Sequence, residues 1–410
     1  IKSNAQGTAG KDFWIGYMAH AWDCYYNYNY YNYDTVEVFL SSQVAATVKV
    51  EAIGQGYSKT VTLIPNVTTS LMLPSTVVCR YSDTVTNNGV HVTSDEIINV
   101  YAVNRYWFSK GATVVIPTES IVKSPEYFIT TDEDTYNWGW YCNGKSFRSA
   151  EFVIVGIADS SVIEIVPTGA STRNSSAMVP FQITLKKGQT FQYLSTDKDL
   201  TGSIIRSRDA VSKFAVFAAN RITKTITPRA NGSICKSNTD HTFEQMFPTV
   251  TWGLSYTALP FKFNDGYTLK IVAAENFTNV KINGTYYQSL QQGEFFNFNT
   301  LKDTSIQITA DKPISVTQFT KGLGCNGHPS PKPTLGGVSQ LQVIPDVQWS
   351  TEANVSTTMR DWKWTNLSEN FLNVMVNLAD TAAFRLNGKA VPVSAWKTNP
   401  NMNGKAYAQL

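Results

Sequence analysis

One pattern recurs four times along the chain and restricts the folds open to it: an apolar strand-like run, a short turn and a second such run. The copies are VEVFLSSQVAATVKV (36–50), FVIVGIADSSVIEIV (152–166), LKIVAAENFTNVKI (269–282) and FLNVMVNLADTAAFRL (371–386). They begin about 100 to 130 residues apart, and self-similarity at a fixed period indicates repeated units. The last two copies end at Asn283-Gly284 and Asn387-Gly388, the pair preferred in two-residue hairpin turns because both positions tolerate positive φ.

Three shorter elements recur after these copies in a fixed order. The first reads ITLKKGQTFQYL (183–194) and SLQQGEFFNF (289–298), and its Gly188 and Gly293 are predicted to make tight turns between paired strands. The second is a buried strand that follows an acidic turn residue each time: IINVYAVN (97–104), KFAVFAAN (213–220) and PISVTQFT (313–320). The third is a strand that should end at Pro117, Pro248 or Pro345, because proline cannot donate a ladder hydrogen bond.

Together these elements predict an all-β protein. Aromatic residues reach 12% of the chain, and such side chains, like Val, Ile and Thr, fit pleated, half-buried surfaces. Each unit offers about six to eight short strands with turn signals between them, which is the pattern of a β-sandwich. We therefore predict about three tandem β-sandwich units and a partial fourth. A large propeller-like array is the alternative, although propeller blades hold only about 40 to 50 residues.

The repeats also predict where the units begin and end. The first sandwich covers 1–145, the second 146–262 and the third 263–358. Residues 359–410 are too few for a whole unit. They are predicted to form a partial fourth repeat or to supply strands that complete an earlier sheet.

Charge, hydropathy and motif content exclude several function classes. The net charge of +3 and the pI of about 8.4 are too mild for a nucleic-acid partner, and no basic stripe is present. No run of about 18 apolar residues predicts a membrane span. The chain has four histidines and none of the short motifs of serine hydrolases, zinc proteases or phosphate loops. We predict that the protein is not an enzyme and needs no cofactor, with calcium as the one candidate ion.

The five cysteines leave their pairing open: Cys24, Cys79, Cys142, Cys235 and Cys325. None forms a CxxC motif, so a zinc ribbon or a redox pair is not predicted. Their spacing permits one or two disulfides, and the odd number leaves at least one thiol free or bonded to another chain. The alternative is that they are free and buried.

A tyrosine-rich segment is the most unusual local feature. Residues 24–34 hold six tyrosines interleaved with asparagines and lie between two predicted strands. Tyrosine supplies broad contact area with a polar tip, and asparagine supplies adaptable hydrogen bonds, which favours recognition of a protein or glycan. The candidate ligand-binding residues are Trp22, Tyr25, Tyr26, Tyr28, Tyr30, Tyr31, Tyr33, Trp138 and Trp140. The alternative is that these side chains pack on one another or cover a sheet edge.

Two polar clusters and three tryptophans complete the candidates. Asp132 and Asp134 lie in a predicted loop, where clustered oxygen ligands can bind calcium. The segment 240–244 holds Asp, His and Glu in a spacing that matches no standard metal site, and we expect it to form a buried turn. Three tryptophans are expected to fill cores: Trp14, Trp252 and Trp349.

Six stretches carry a family resemblance: GKDFWIGYM (10–18), GVHVTSDEIINVYAVN (89–104), GATVVIPT (111–118), DLTGSIIRS (199–207), DHTFEQMFPTVTWGLSY (240–256) and DKPISVTQF (311–319). They resemble the N-terminal domain of IgG Fc-binding protein and its bacterial relatives. They occur in the order found in that family. One departure is Cys235, which is separated from Asp240-His241, whereas the family commonly has the three residues contiguous.

The resemblance implies an extracellular or cell-surface protein that binds or adheres. Its bacterial relatives in the Bacteroidetes look like secreted adhesins of gliding, surface-attached cells that are often exported by type IX secretion. It therefore implies a glycan or glycoprotein ligand, with the secretion or outer-membrane machinery as a further partner. The remaining interpretations are a structural stalk within a larger surface protein and, third, a glycoside-active enzyme.

Overall fold

A computed structural model describes residues 7–20, 34–106, 109–132, 141–142, 145–146, 150–171, 176–196, 199–223, 226–228, 234–236, 240–262, 264, 266–300, 304–322, 337–355 and 370–410. In these residues all regular structure is β-strand or short 3-10 helix, with no α-helix. The predicted all-β class is therefore confirmed. No helix in the described residues is long and apolar enough to cross a membrane.

One long strand organises the first unit. The strands up to residue 114 are β1 (Ala9–Ile15), β2 (Tyr17–Met18), β3 (Asp34–Ser41), β4 (Ala46–Ala52), β5 (Tyr57–Leu63), β6 (Thr69–Leu73), β7 (Val78–Cys79), β8 (Thr84–Thr86), β9 (Val90–Tyr106) and β10 (Ser109–Val114). The first half of β9 pairs with β1 and β4, and its second half pairs with β3 and β10. Since β5 pairs with β4 and β6 with β3, β9 belongs to two four-stranded layers.

The third unit repeats this topology strand for strand. Its strands are β23 (Gly253–Ala258), β24 (Tyr267–Ala273), β25 (Thr278–Ile282), β26 (Thr285–Leu290), β27 (Phe295–Asn299), β28 (Ile306–Thr320) and β29 (Gln340–Gln342). The first half of β28 pairs with β23 and β25, and the second half pairs with β24 and β29. Strands β26 and β27 flank β25 and β24. Thus β28 is the counterpart of β9.

In the second unit the two layers are separate sheets. The strands between residues 126 and 245 are β11 (Glu126–Phe128), β12 (Tyr141–Cys142), β13 (Lys145–Ser146), β14 (Ala150–Gly156), β15 (Ser161–Val166), β16 (Phe181–Leu185), β17 (Thr190–Leu194), β18 (Ile204–Ser207), β19 (Phe214–Asn220), β20 (Ile226–Pro228), β21 (Ile234–Lys236) and β22 (Glu244–Gln245). One sheet has the order β11-β18-β15-β16 and the other β22-β19-β14-β17-β8. The long strand is here split into β18 and β19.

The remaining strands follow the third unit. They are β30 (Asn373–Asn377), β31 (Arg385–Leu386), β32 (Lys389–Ala390), β33 (Trp396–Lys397) and β34 (Lys405–Gln409). The described residues also contain eight 3-10 helices: Ile53–Gln55, Ser75–Val77, Thr118–Ser120, Thr249–Thr251, Asp346–Gln348, Leu378–Asp380, Val393–Ala395 and Pro400–Met402. The predicted unit boundaries stay predictions, and strand β8 of the first predicted unit pairs with β17 of the second.

The repeated turn signals have repeated structural roles. In every unit the acidic residue before or within the long strand accepts a hydrogen bond from a backbone N–H near the start of the β4-type strand. These bonds are Thr47 to Asp95 (2.7 Å), Val162 to Asp209 (3.4 Å) and Asn279 to Asp311 (2.8 Å). Hydrogen bonds donated to the three carboxylates lower the pKa of each.

The Asn-Gly prediction is confirmed, whereas the strands that were predicted to end at the prolines end three residues before them. Pro117, Pro248 and Pro345 each lie three residues beyond the end of a strand and directly before a 3-10 helix. The Asn-Gly pairs at 283–284 and 387–388 have positive φ at both positions and close the hairpins β25–β26 and β31–β32.

Gly188 and Gly293 were predicted to make tight turns between paired strands; the turns are confirmed and the pairing is wrong. Both have positive φ, at 79° and 75°, which favours glycine. However, the strands on either side of each turn belong to different layers and do not pair with each other. The turns instead touch the preceding unit: an added Cβ at Gly89 would lie 2.6 Å from the Gly188 carbonyl oxygen, and one at Gly202 would lie 2.3 Å from that of Gly293.

Strand β14 explains why the first two units are tightly joined. Side chains alternate between the faces of a strand, and here both faces are buried. Val153 and Val155 belong to the core of the first unit, whereas Phe152 and Ile154 belong to the core of the second. One sheet of the second unit is therefore shared between two cores, which accounts for the continuous apolar run in the sequence.

The expected positions of the tryptophans are confirmed only in part. Trp14 is buried in the first core. Trp252 and Trp349 are half-buried and follow the 3-10 helices at the ends of the second and third units. Trp252 lies beside Phe128 with ring centroids 5.5 Å apart, so it covers a junction rather than filling a core.

A buried ion pair ties the third unit to the second. Lys270 on β24 pairs with Asp199, and its Nζ also donates to the carbonyl of Thr131 (2.6 Å). The ammonium lies 4.7 Å from the centre of the Phe295 ring. The Lys270 side chain is 1% exposed, so removing its charge partner or the lysine itself leaves an uncompensated buried group.

We expect Lys270→Met to lower the free energy of unfolding by about 3 kcal/mol or more, because Asp199 then stays buried without its cation. Denaturant unfolding followed by intrinsic fluorescence measures this. The double variant with Asp199→Asn should recover part of the loss. Lys281→Met, at an exposed position of β25, the next strand along the chain, is the matched control and should change stability by less than about 0.5 kcal/mol. Equal stability of Lys270→Met and Lys281→Met would contradict the assignment of a buried, stabilising ion pair to Lys270 and Asp199.

Glu244 links all three units. It is adjacent to Gln245, whose N–H donates to Thr113 Oγ1 (2.9 Å), and Glu244 Oε1 accepts from the backbone N–H of Gln342 (3.0 Å). Burial raises the pKa of Glu244 from its ordinary 4.5 to about 8. The folded protein therefore binds a proton here that the unfolded chain releases between these two values.

This linkage predicts a pH-dependent effect of Glu244→Gln. A raised carboxyl pKa makes stability fall as pH rises from 4.5 to about 8, with a limiting slope of about 1.4 kcal/mol per pH unit. Glutamine keeps the acceptor oxygen and has no proton to lose. The stability of the variant relative to the unsubstituted chain should therefore increase from pH 5 to pH 8, as urea midpoints measure. The exposed Glu275→Gln should show no such trend, and a flat difference for Glu244→Gln would refute the prediction.

Candidate functional site

A buried polar network lies where the first two units meet. Its residues follow β2, begin β10 and precede β22. His20 Nε2 is 3.1 Å from Ser109 Oγ. Ser109 Oγ donates to Asp240 Oδ1 (3.0 Å) and accepts from the backbone N–H of His241 (2.8 Å). The rings of His20 and His241 lie 4.9 Å apart. The four residues come from three separate stretches of sequence.

Backbone groups hold this network from several sides. Asn104 Nδ2 donates to the carbonyl of Met18 (2.8 Å) and lies 3.2 Å from His241 Nε2. His241 Nδ1 is 3.3 Å from the carbonyl of Arg221. The Asp240 carboxylate also accepts the backbone N–H of Lys110 (2.8 Å). The network thus fixes the relative positions of β9, β10 and the segment that leads into β22.

Burial dominates the electrostatics of the network. It raises the pKa of Asp240 to about 6, against the opposing effect of the hydrogen bonds donated to that carboxylate. It lowers the pKa of His20 well below its usual range, and the nearby His241 and Arg221 lower it further. His20 is therefore neutral at physiological pH.

The geometry gives Ser109 a structural role. A hydroxyl has one proton, and that of Ser109 goes to Asp240 while its oxygen accepts the N–H of His241. A serine nucleophile needs its proton directed at a histidine base that a carboxylate orients. In this network the serine lies between the histidine and the carboxylate, so the order of contacts differs from that of a catalytic triad.

The acidic candidates are bonded within the fold. The Asp132 carboxylate accepts from Thr223 Oγ1 (2.7 Å). Asp240 and Glu244 each accept backbone N–H groups, as expected for a buried turn. The part of the chain that the structure describes holds no group of three His, Cys, Asp or Glu placed for a metal ion. Asp134 lies outside the described residues, and calcium binding stays a prediction.

The predicted ligand-binding residues lie outside the described residues: Trp22, Tyr25, Tyr26, Tyr28, Tyr30, Tyr31, Tyr33, Trp138 and Trp140. The residues that precede the two segments are described, and both bond to the stretch at the end of β19. Arg221 Nη2 donates to the carbonyl of His20 (2.8 Å). Asp132 and Asn220 exchange two hydrogen bonds, of 2.7 and 3.0 Å. The described residues that precede the two aromatic segments, His20 and Asp132, are therefore bonded to adjacent residues, Arg221 and Asn220.

The expectation of a free, buried thiol is confirmed for one cysteine. Cys79 is a buried free thiol, and burial raises its pKa to about 11, so it is unreactive. Strands β12 and β21 contain Cys142 and Cys235. Cys24 and Cys325 lie outside the described residues. The pairing of these four cysteines stays open.

The sequence contains a signal for the position of Ser109. Ser109, Asp240 and Gly337 each lie eight residues before the strand-ending proline of their unit. The structure brings these equivalent positions together: Ser109 donates to Asp240, and an added Cβ at Gly337 would lie 2.0 Å from Asp240 Oδ2. Aligning the units on their prolines would have identified the network position.

Comparison with known proteins extends this description. The human IgGFc-binding protein is 24% identical over 288 residues, which is 68% of this chain and 5% of that protein. The chain therefore spans about a twentieth of the length of this relative. A crystal structure of Streptomyces avermitilis alpha-L-rhamnosidase complexed with L-rhamnose aligns at 8% identity over 75% of this chain and 37% of that chain. Its TM-score is 0.15, which carries no argument about fold or activity.

A sequence profile described as IgGFc binding protein matches residues 111–410. This range contains the second and third units, strand β34 and, of the four network residues, Asp240 and His241. Because the match covers well over half of the chain, the chain belongs to the IgGFc-binding protein family.

Proposed function

We propose that the protein is an extracellular binding protein that recognises a glycoprotein or glycan through the aromatic segments at one end of its β-sandwich units. The observation that carries the proposal is the shared origin of these segments. His20 and Asp132 precede segments 21–33 and 133–140, and both are hydrogen-bonded to residues 220–223. A rigid scaffold that brings variable segments to one place is a common design for recognition.

Composition supports a ligand of this class. The two segments hold tyrosine, tryptophan and asparagine at high density, and such side chains combine apolar contact area with hydrogen-bonding tips. Glycans and glycoproteins present both kinds of surface. The overall charge of +3 supplies little electrostatic attraction, so we infer that contact area and hydrogen bonds carry the affinity.

The finer proposal is a secreted adhesin on a bacterial surface, exported by a type IX route, whose partners include the outer-membrane machinery. Its support is the sequence resemblance to secreted surface proteins of the Bacteroidetes. The relative in humans is named for binding IgG Fc, and IgG Fc is a glycoprotein of the proposed ligand class. It therefore belongs in any panel of test ligands.

A scaffold function is the second candidate, and the unit junctions favour it. In the first junction the Gln245 side chain accepts from the N–H of Ile116 (2.8 Å); in the second, Gln342 accepts from Phe247 (3.3 Å). Both glutamines lie three residues before the proline of their unit. Units that add by the same contacts form a rigid, extendable array, as a stalk requires.

We expect the replacement of the six tyrosines at positions 25–33 by serine to weaken ligand binding at least tenfold, because the aromatic contact area is lost while the backbone is kept. Binding to mucin glycoproteins, a glycan array and IgG Fc measures the effect. Tyr286→Ser is the matched control, since Tyr286 is 58% exposed on β26, far along the chain from the segment. Both variants should unfold at the same temperature as the unsubstituted chain.

Unchanged binding by the six-tyrosine variant would remove these residues from the site. A second variant, Trp138→Ala with Trp140→Ala, then tests the other segment separately. If the unsubstituted chain binds none of the ligands, the scaffold function is the better conclusion.

A further inference from the structure

Each unit joins its long strand to the strand before its proline by one connection. Counted from equivalent strand positions, the three connections are residues 105–108, 221–239 and 321–336. They lead to the equivalent positions Ser109, Asp240 and Gly337. Four residues suffice in the first unit, whereas the second and third units use 19 and 16. The second and third units therefore carry insertions where the first has a short connection.

Asp240 brings the ends of the three connections together. Its carboxylate accepts from Ser109 Oγ (3.0 Å), and an added Cβ at Gly337 would lie 2.0 Å from Asp240 Oδ2. Two backbone hydrogen bonds, of 2.7 and 3.0 Å, join Asp240 to Thr223 at the base of the second connection. The three connections therefore end beside one residue.

The second connection contains a hairpin in which β20 pairs with β21. Its base is bonded to the described residue before each aromatic segment. Arg221 Nη2 donates to the carbonyl of His20 (2.8 Å), and Thr223 Oγ1 donates to Asp132 Oδ2 (2.7 Å). Residues 224–225, 229–233, 237–239 and 323–336 lie outside the described residues. The base of the hairpin thus belongs to the same bonded group as His20 and Asp132.

The three connections differ from the rest of the chain in charge. They hold seven of its 34 lysines and arginines and none of its 31 aspartates and glutamates. The rest of the chain holds 27 basic and 31 acidic residues, so its net charge is −4, although the whole chain carries +3. A concentration of one charge sign indicates a partner of the opposite sign.

Three of the seven cations belong to the scaffold. Arg105 pairs with Glu37, Arg221 donates to the carbonyl of His20, and Lys321 is 4% exposed. The other four are Lys224, Arg229, Lys236 and Lys332. They lie in the two long connections, so the second and third units supply the surplus of positive charge.

The acidic residues of this region lie in the aromatic segments instead. They are Asp23, Glu133 and Asp134. The aromatic segments therefore offer contact area without positive charge, and the four cations of the connections are the groups suited to an anion. The two chemistries come from separate stretches of sequence whose described ends are bonded to one another.

We propose that the ligand is an acidic glycan, whose carboxylate or sulfate groups pair with the cations of connections 221–239 and 321–336. The inference rests on the glycan recognition proposed above and narrows it to one class of sugar. Electrostatic complementarity contributes more to specificity and association rate than to affinity. The aromatic segments then supply the affinity for the sugar rings, and the connections select the charged glycans.

The first test compares ligands that differ only in charge. One oligosaccharide is presented in its neutral form, with a terminal sialic acid, and with a sulfate, and the 410-residue chain is titrated on each. At least one acidic form should bind at least tenfold more tightly than the neutral form. The preference should shrink as ionic strength rises, because salt screens exposed charges. The sialylated and sulfated arms distinguish a carboxylate from a sulfate as the source of the charge.

A triple variant of the hairpin locates the effect. Lys224→Gln with Arg229→Gln and Lys236→Gln should lower the preference for the acidic form at least tenfold and leave binding of the neutral form unchanged. The matched control removes the same charge from exposed lysines elsewhere: Lys59→Gln, Lys281→Gln and Lys389→Gln. It should keep the preference. Lys332→Gln in the other long connection makes the test independent of the folding of the hairpin and should lower the preference at least threefold.

Three outcomes would overturn the inference. The first is equal binding of the neutral and acidic forms. The second is an equal loss of preference in the hairpin variant and its control. The third is binding of a single-stranded nucleic acid of matched charge as tightly as the acidic glycan, since this would mark a general response to polyanions.

The six-tyrosine variant separates this inference from the site proposed above. If that variant binds like the unsubstituted chain while the hairpin variant loses the acidic preference, the inference about charge stands and the aromatic assignment fails. If the six-tyrosine variant loses binding and the unsubstituted chain shows no acidic preference, the aromatic assignment stands and the inference about charge fails.

Discussion

The pairing of one strand with both layers of its unit is the constraint on which the rest of this structure depends. Strands β9 and β28 each contribute one half to each layer, so the two layers cannot separate without breaking a continuous backbone ladder. In the second unit the long strand is interrupted at residues 208–213, and the shared sheet that contains β14 connects the layers instead. Its residues Val153 and Phe152 bury their side chains in two different cores.

This arrangement makes the units interdependent. A β-sandwich with its own closed core can fold alone, but a sheet whose two faces serve two cores cannot be exposed on one side without a large loss of buried apolar area. The junctions add polar contacts that lie in the same places in successive units, including Gln245 against Ile116 and Gln342 against Phe247. The buried pair of Lys270 and Asp199 then restricts the third unit to one orientation.

Much of this fold could be predicted from local sequence chemistry, because turn residues act through the backbone. Asn-Gly accepts positive φ, so Asn283 has the turn position that its type indicates, whereas the strand before Pro117 ends three residues earlier than predicted. Which strands pair across a turn depends on layers that no local pattern encodes, which is why the turn at Gly188 was assigned to paired strands in error. The network of Ser109 and Asp240 was missed for the same reason, since its members meet only after the units dock.

Under the proposed function, structure and recognition are divided between the polar network and the aromatic segments. His20, Ser109 and His241 are buried and hydrogen-bonded, and they connect strand ends. A buried network of this kind rigidifies the positions from which segments leave the scaffold. Segments that start at fixed points lose less conformational entropy when they bind a ligand. Under the proposed function, the polar network and its neighbours contribute by fixing the positions of His20 and Asp132, the described residues that precede the aromatic segments.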